Sequence, residues 1–235
     1  MKSIIDYLKL RRAYSSSENY VDYLRKQNIK IGDNAYFPDP KTMQIDLTRP
    51  SLIEIGNDVV FASWCSIITH DFTTKVFCNL YDDLLPSAGK VIIGNNVYFN
   101  QRCLVFKNVT IGDNCIFGYG STILKDIPAN SVAVGTPAKV ICTVEEYYKK
   151  RREKSIEEAF VYARSIKERY GRMPVIEDFW EEFPLFVNGN EMDKYPIHFK
   201  NKMQTQLGKA LTNWKKNHKA LFRNFDDFIE HAFAE

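Results

Sequence analysis

The stretch SWCSIITHDF, Ser63 to Phe72, runs apolar and then meets the only histidine in the first 197 residues; the other three are His198, His218 and His231. Imidazole is the side chain best suited to moving a proton at neutral pH. His70 lies between Thr69 and Asp71, at the polar end of an otherwise apolar segment. From these residues alone two readings stand: a general base, or a histidine that happens to lie at the surface. One histidine limits the chemistry in another way. A catalytic zinc site draws on several nitrogen or sulfur ligands, so no metal is expected.

The elements that would position His70 show in a period of six. Ile93, Phe99, Val105, Ile111, Phe117 and Ile123 are all large and apolar. Four residues further on in each hexad stand Val97, Cys103, Val109, Cys115, Ser121 and Ile127, most of them small. The pattern occurs earlier at Ile55, Phe61 and Ile67, with Val59 and Cys65 as the small partners, and more weakly from Ile31 and Phe37. A helix would repeat at 3.6 and an alternating strand at two. Six fits a β-helix of triangular section, in which each hexad forms one side and three close a coil.

Ile31-Gly32, Ile55-Gly56, Ile93-Gly94 and Ile111-Gly112 mark successive coils, with Asn or Asp following at the corners. Glycine, asparagine and aspartate tolerate the positive φ that corners demand. The interval from Ile93 to Ile111 is one coil, whereas that from Ile55 to Ile93 holds a coil and a loop leaving just after His70. The first interval, Ile31 to Ile55, has room for an extra hexad, and the phase is open across Pro38 to Pro50, where Asp46 and Arg49 lie. Cys65, Cys103 and Cys115 fall at the small inward position, where free cysteine acts as a small hydrophobe.

The fold class expected is therefore mainly β, with three regions: an N-terminal helical cap over 1–30, a β-helix over 31–144 with an insertion at 71–90, and a C-terminal α-helical region over 145–235. In the first, Ile4, Ile5 and Leu8 form one stripe and Tyr20, Val21 and Leu24 another, separated by Ser15–Ser17 as a break and cap. In the last, Ile156, Phe160, Ala163, Ile166 and Tyr170 have helical spacing. So do Leu207, Leu211, Trp214, His218, Leu221 and Phe222, and a short helix is expected over 176–186. The basic run Lys149–Arg152 is flanked by glutamates and reads as a solvated helix face.

From Thr69-His70 onwards the chain resembles the hexapeptide-repeat acetyltransferases, in particular the galactoside and maltose branch and its capsule and lipopolysaccharide relatives. The matching residues are Thr69-His70, Gly89 to Val97, Ile111 to Asn114, Gly118 to Ser121, Lys125 to Pro128 and Gly135 to Ile141. The resemblance implies a left-handed parallel β-helix and a homotrimer with acetyl-CoA bound between subunits. It implies that His70 is the general base. It places Gly118, Tyr119, Gly120 and Ser121 along the pantetheine arm, and Lys125 and Lys139 near the nucleotide phosphates. Asn96 and Tyr98 would line the substrate groove, with Tyr98 where relatives usually carry tryptophan. Asp82 and Asp83, on the inserted loop, are candidates for binding the acceptor.

The expected function is transfer of an acetyl group to a hydroxyl or amine of a sugar or nucleotide sugar, in making a surface polysaccharide. Transfer to a small non-sugar acceptor such as serine or an antibiotic, and a non-catalytic β-helix used for assembly, are the alternatives. A formal net charge of +3, with both signs spread along the chain, gives no reason to expect nucleic acid as a partner. No apolar run is long enough to span a bilayer. Charges interrupt the N-terminal apolar residues too early for a secretion signal, and a cytoplasmic protein is expected.

Overall fold

The computed structural model describes residues 10–195 and 197–234; the expected stripe of Ile4, Ile5 and Leu8 lies outside them. The chain divides into two compact units, Met1–Tyr148 and Lys149–Glu235.

In the first unit the chain winds through three sheets in rotation. One face pairs Lys30–Ile31, Ile53–Ile55, Val91–Ile93 and Val109–Ile111; the second runs from Val60–Phe61 through Val97–Phe99 and Cys115–Phe117 to Ser131–Val134; the third pairs Gln44–Ile45, Ser66–Ile67, Leu104–Val105 and Thr122–Ile123. All these pairings are parallel; the final strand, Lys139–Thr143, runs antiparallel to Ser131–Val134. The hexad residues stack in register: Ile55 on Ile93 on Ile111, Phe61 on Phe99 on Phe117, and Ile67 on Val105 on Ile123. They are buried, as are the small residues at the other inward position. Four phenylalanine rings, Phe37, Phe61, Phe99 and Phe117, form a near-parallel stack with centroids 5.2, 4.5 and 4.8 Å apart. The Cys65, Cys103 and Cys115 thiols are buried and donate to carbonyls of Asn100, Gly118 and Pro128.

The corner motif separates two duties that the sequence merges. The residue with positive φ is the fourth of each motif: Asn34, Asp58, Asn96 and Asn114, at 58°, 57°, 55° and 56°. Their side chains join in a ladder, Asn34 to Asp58 and Asn96 to Asn114 to Asn130. The glycines serve close approach instead. A Cβ on Gly94 would stand 2.8 Å from the Gly112 carbonyl carbon.

Helix α1 (Ser17–Lys26) begins at Ser16, whose hydroxyl accepts from Asn19 N–H at 3.2 Å. Its Tyr20, Val21 and Leu24 are buried with the first coil, Tyr20 edge-on to Phe37 at 5.1 Å. Apolar burial covers the end of the phenylalanine stack. The first coil departs from the extra hexad expected. The interval from Asn34 to Asp58 is 24 residues and that from Gln44 to Ser66 is 22, against 18 for a plain coil such as Asn96 to Asn114. The surplus is taken up in two 3₁₀ turns, Pro40–Thr42 and Pro50–Leu52, each opened by a proline. Proline suits the first position of a turn because its absent N–H would be unpaired there. Arg49 immediately precedes the second turn, outside the inward register.

Between His70 and Gly89 the chain leaves the coil. Helix α2 (Thr74–Tyr81) occupies part of this loop, and none of its residues is buried. Helix α3 (Val144–Tyr170) starts from a capping box: Thr143 N–H donates to the Glu146 carboxylate and Glu146 N–H to the Thr143 hydroxyl. Such reciprocal bonds satisfy two donors that the first turn leaves open.

In the second unit Ala159, Ala163 and Ile166 of α3 share a core with Phe179, Phe183, Phe186, Phe199 and Phe228. The helix expected over 176–186 is instead two 3₁₀ turns, Ile176–Asp178 and Phe183–Leu185; Pro184 lacks a backbone donor and disfavours helix in the residue before it. The stripe from Leu207 to Phe222 also breaks. Helix α4 (Ile197–Leu207) gives way at Gly208, with φ of 46°, and α5 (Leu211–Asn217) ends before His218, which is extended. Leu221 and Tyr170, expected on buried stripes, are exposed. Helix α6 (Phe225–Phe233) is capped by the Asn224 side chain.

Candidate active site

His70 is placed by the corner that follows the third face. In-register pairing of Ser66 with Leu104 and Leu104 with Thr122 sets residues 69, 107 and 125 in one column along this edge. On the preceding coil Gln44 pairs with Ser66 and Ile45 with Ile67, so Asp46 and Thr48 end up beside Thr69 and His70. The chain would have no reason to put a carboxylate here by period alone. The turn at Pro50–Leu52 absorbs the extra residues and leaves Asp46 at the corner.

Nδ1 of His70 lies 2.5 Å from Asp46 Oδ2. The same oxygen accepts from the Thr69 hydroxyl, and from Thr69 N–H at 3.2 Å. Oδ1 accepts from Thr48 N–H at 2.9 Å and from the Thr48 hydroxyl at 2.7 Å. The Asp46 side chain is 7% exposed and that of His70 15%; Thr69 is buried. Burial pushes the Asp46 carboxyl upward, and the bonds from Thr69, Thr48 and His70 outweigh it, holding the group well below the usual carboxylate range. A carboxylate surrounded by donors is an acceptor only. The proton between it and the ring therefore sits on Nδ1, which in the neutral ring leaves the lone pair on Nε2. Among the described residues Nε2 has no hydrogen-bond partner. Phe72 stands edge-on to the imidazole at 5.1 Å and is itself 77% exposed. The arrangement is an oriented base with its free nitrogen unpaired, able to accept a proton from an incoming hydroxyl or amine.

The other candidates fall elsewhere. Lys125 shares the His70 edge, two coils on, with its neighbour Asp126 accepting from Thr110 N–H. Asn96 is part of the asparagine ladder at the corner between the first and second faces. Tyr98 points outward from the second face and is 42% exposed. Gly118 to Ser121 form the corner between the second and third faces. There Gly120 has a φ of 68°, Tyr119 is exposed and carries the Arg102 guanidinium 5.9 Å above its ring, and Gly118 packs on Val134. Ser121 is buried and donates to Gly118 O at 2.7 Å, so its hydroxyl closes the turn. Lys139 is exposed on the final strand. Asp82 and Asp83 are exposed on the loop after α2, Asp82 in the left-handed region. Within the chain, then, His70 is brought together with Asp46, Thr48 and Thr69, and not with Gly118–Ser121 or Tyr98. Asp46 is the residue that sequence reasoning passed over; the signal that could have found it is an acidic residue just after a weak hexad, Gln44-Ile45, one coil before Thr69-His70.

No protein-family model matches the chain. Protein CapG of Staphylococcus aureus is 32% identical over 145 residues, which cover 60% of this chain and 78% of CapG. Galactoside O-acetyltransferase of Escherichia coli (strain K12) is 35% identical over 121 residues, 51% of this chain and 56% of that enzyme. The chain belongs to the hexapeptide-repeat acetyltransferases. Its reaction class is acyl transfer. Among solved structures, a hexapeptide-repeat acetyltransferase of Vibrio cholerae covers 58% of this chain and 86% of its own, at 18% identity and a TM-score of 0.48. As in any hexapeptide-repeat acetyltransferase the coil is only the scaffold, and the chemistry must be argued from the side chains placed on it. Among the described residues no helix is long and apolar enough to cross a membrane.

Proposed function

We propose that the protein transfers an acetyl group from acetyl-CoA to a hydroxyl or amine of a sugar or nucleotide sugar, with His70 as general base, in the cytoplasmic steps of building a surface polysaccharide. The observation that carries this reading is the His70–Asp46 pair, with Nε2 unpaired, where the loop leaves the coil. In the reaction Nε2 takes the proton of the acceptor as its oxygen or nitrogen attacks the thioester carbonyl. The tetrahedral intermediate collapses, the C–S bond breaks, and the proton passes from the imidazolium to the departing thiolate. Asp46 keeps the ring in the Nδ1–H tautomer and stabilises the imidazolium, a positioning role. Similarity to galactoside O-acetyltransferase supports a sugar acceptor.

The proposal includes a left-handed coil and a homotrimer with its sites between subunits. The outward ladder Tyr36, Val60, Tyr98 and Ile116 on the second face supports association, since a contiguous apolar column favours cover. A partner's face would bring Gly118 to Ser121, Tyr98 and Asn96 towards His70, with Lys125 and Lys139 meeting the phosphates of CoA and the 71–90 loop, including Asp82 and Asp83, meeting the acceptor.

Thiol release from acetyl-CoA, measured across a panel of sugars and nucleotide sugars with mass analysis of the product, tests the reading. Acceptor-dependent release with an acetylated sugar is expected. Release only with serine or aminoglycoside acceptors would replace the sugar, and no acetyl-CoA binding by calorimetry would overturn the function.

A further inference from the structure

A second polar cluster lies at the neck of the loop, on the side of His70 away from Asp46. The chain leaves the coil at Asp71 and returns at Ala88: His70 pairs with Ala88 in antiparallel fashion, Asp71 N–H donates to Ser87 O at 3.3 Å, and Gly89 N–H to Thr69 O at 2.9 Å. Asp71 then uses both carboxylate oxygens. Oδ1 accepts from Thr73 N–H at 3.0 Å and the Thr73 hydroxyl at 2.6 Å, in the turn leading into α2. Oδ2 accepts from the Ser87 hydroxyl at 3.1 Å and from the Lys107 ammonium, which also donates to Ser87 Oγ. Lys107 comes from the next coil, in the column below Thr69, with the Phe106 ring 5.6 Å from its charge. The side chains of Lys107 and Asp71 are 14% and 20% exposed.

The rest of the loop has little else to hold it. No residue of α2 is buried, and Phe72, Val76, Leu80, Tyr81 and Leu84 are exposed. An exposed ion pair would add little here. This one is mostly shielded and ties three segments together through charge-assisted bonds, which are roughly twice as strong as neutral ones.

We propose that Asp71, Ser87 and Lys107 form a latch that fixes the loop beside His70, with Lys107 as a positioning residue for acceptor binding. The proposal rests on His70 being the base. Asp46 holds the ring while the latch holds the backbone one residue further on. The latch also sets Phe72 against the imidazole as a wall of the approach to Nε2. Releasing it frees the wall and leaves the coil core and the Asp46–His70 bond in place.

Lys107→Met is the direct test, with Asp71→Asn as a second way to break the same contact and Lys107→Arg to restore charge and donors. In Lys107→Met the acceptor KM should rise at least about tenfold, the equivalent of one charge-assisted hydrogen bond, with the acetyl-CoA KM unchanged. Chymotrypsin should cut between Phe72 and Leu85 correspondingly faster, at an unchanged melting temperature. Asp71→Asn should behave alike, the double variant no worse than either, and Lys107→Arg close to wild type. Wild-type cleavage and acceptor KM in Lys107→Met would overturn the latch. So would a joint loss of both KM values and melting temperature that arginine does not rescue. If the wild type releases no thiol at all, the transferase reading fails, and the cleavage rates still decide the latch.

Discussion

Asp46 accepts from two threonine hydroxyls, two backbone amides and an imidazole. A buried carboxylate costs several kcal/mol unless so satisfied. Exchanging it for a neutral amide should cost activity more than fold: in Asp46→Asn, kcat should fall roughly 10- to 100-fold, by analogy with loss of an outer-shell partner that orients a histidine, with acceptor KM little changed, as steady-state kinetics would show. Asp71 resembles Asp46 in sign. The Lys107 ammonium and the Thr73 bonds hold its carboxyl well below the usual range. The Asp71–Lys107 pair, however, ties down a loop whose helix has no buried residue and which opens locally, so of the two carboxylates only Asp46 bears on global melting. Carboxyls depressed in the folded state stabilise above their unfolded value of about 4, and that contribution is lost as pH falls through the folded value. Melting temperature should therefore decline steadily below about pH 4, and Asp46→Asn should flatten the decline. His70 was legible in the sequence because it stands alone and because the period of six fails just after it. Asp46 was not, since its place depends on how two proline-led turns share the surplus residues of the first coil.

At the scale of the element, the coil is set by residues that repeat and the site by those that do not. The inward phenylalanines and the asparagine corners follow from the period of six and are written plainly in the chain. Less legible was the division of labour at the corners, where asparagine takes the positive φ and glycine allows neighbouring coils to touch. Gly94→Ala checks this. Its Cβ would meet the Gly112 backbone at 2.8 Å and Asp113 Oδ1 at 2.4 Å, and overpacking of this kind costs about 1–3 kcal/mol, readable as a lower denaturant midpoint. Truncation within the stack should cost more. Phe99 lies between Phe61 and Phe117 with no exposure, and Phe99→Ala should lose about 3–5 kcal/mol in equilibrium unfolding. The 176–186 segment shows the converse: its aromatic spacing suggested a helix, and Pro184 decided for short turns.

For the whole molecule, the two units have separate cores, one of stacked β-coils and one of aromatic helices. The proposed assembly makes one surface decisive. Ile116 stands mid-ladder on the second face, between Tyr98 and Val132, and a charge there would have to be buried unpaired in any interface formed on it. Ile116→Arg should sediment as a monomer and lose transferase activity, whereas a trimer with wild-type activity would place the interface elsewhere. That His70 is the base is tested most directly by the rate of acceptor-dependent thiol release in His70→Ala, measured alongside its melting temperature and sedimentation. General base catalysis typically contributes about 10²–10⁴. A fall in kcat of that order, with stability and assembly unchanged, is the predicted result. A turnover within a few-fold of wild type would contradict it.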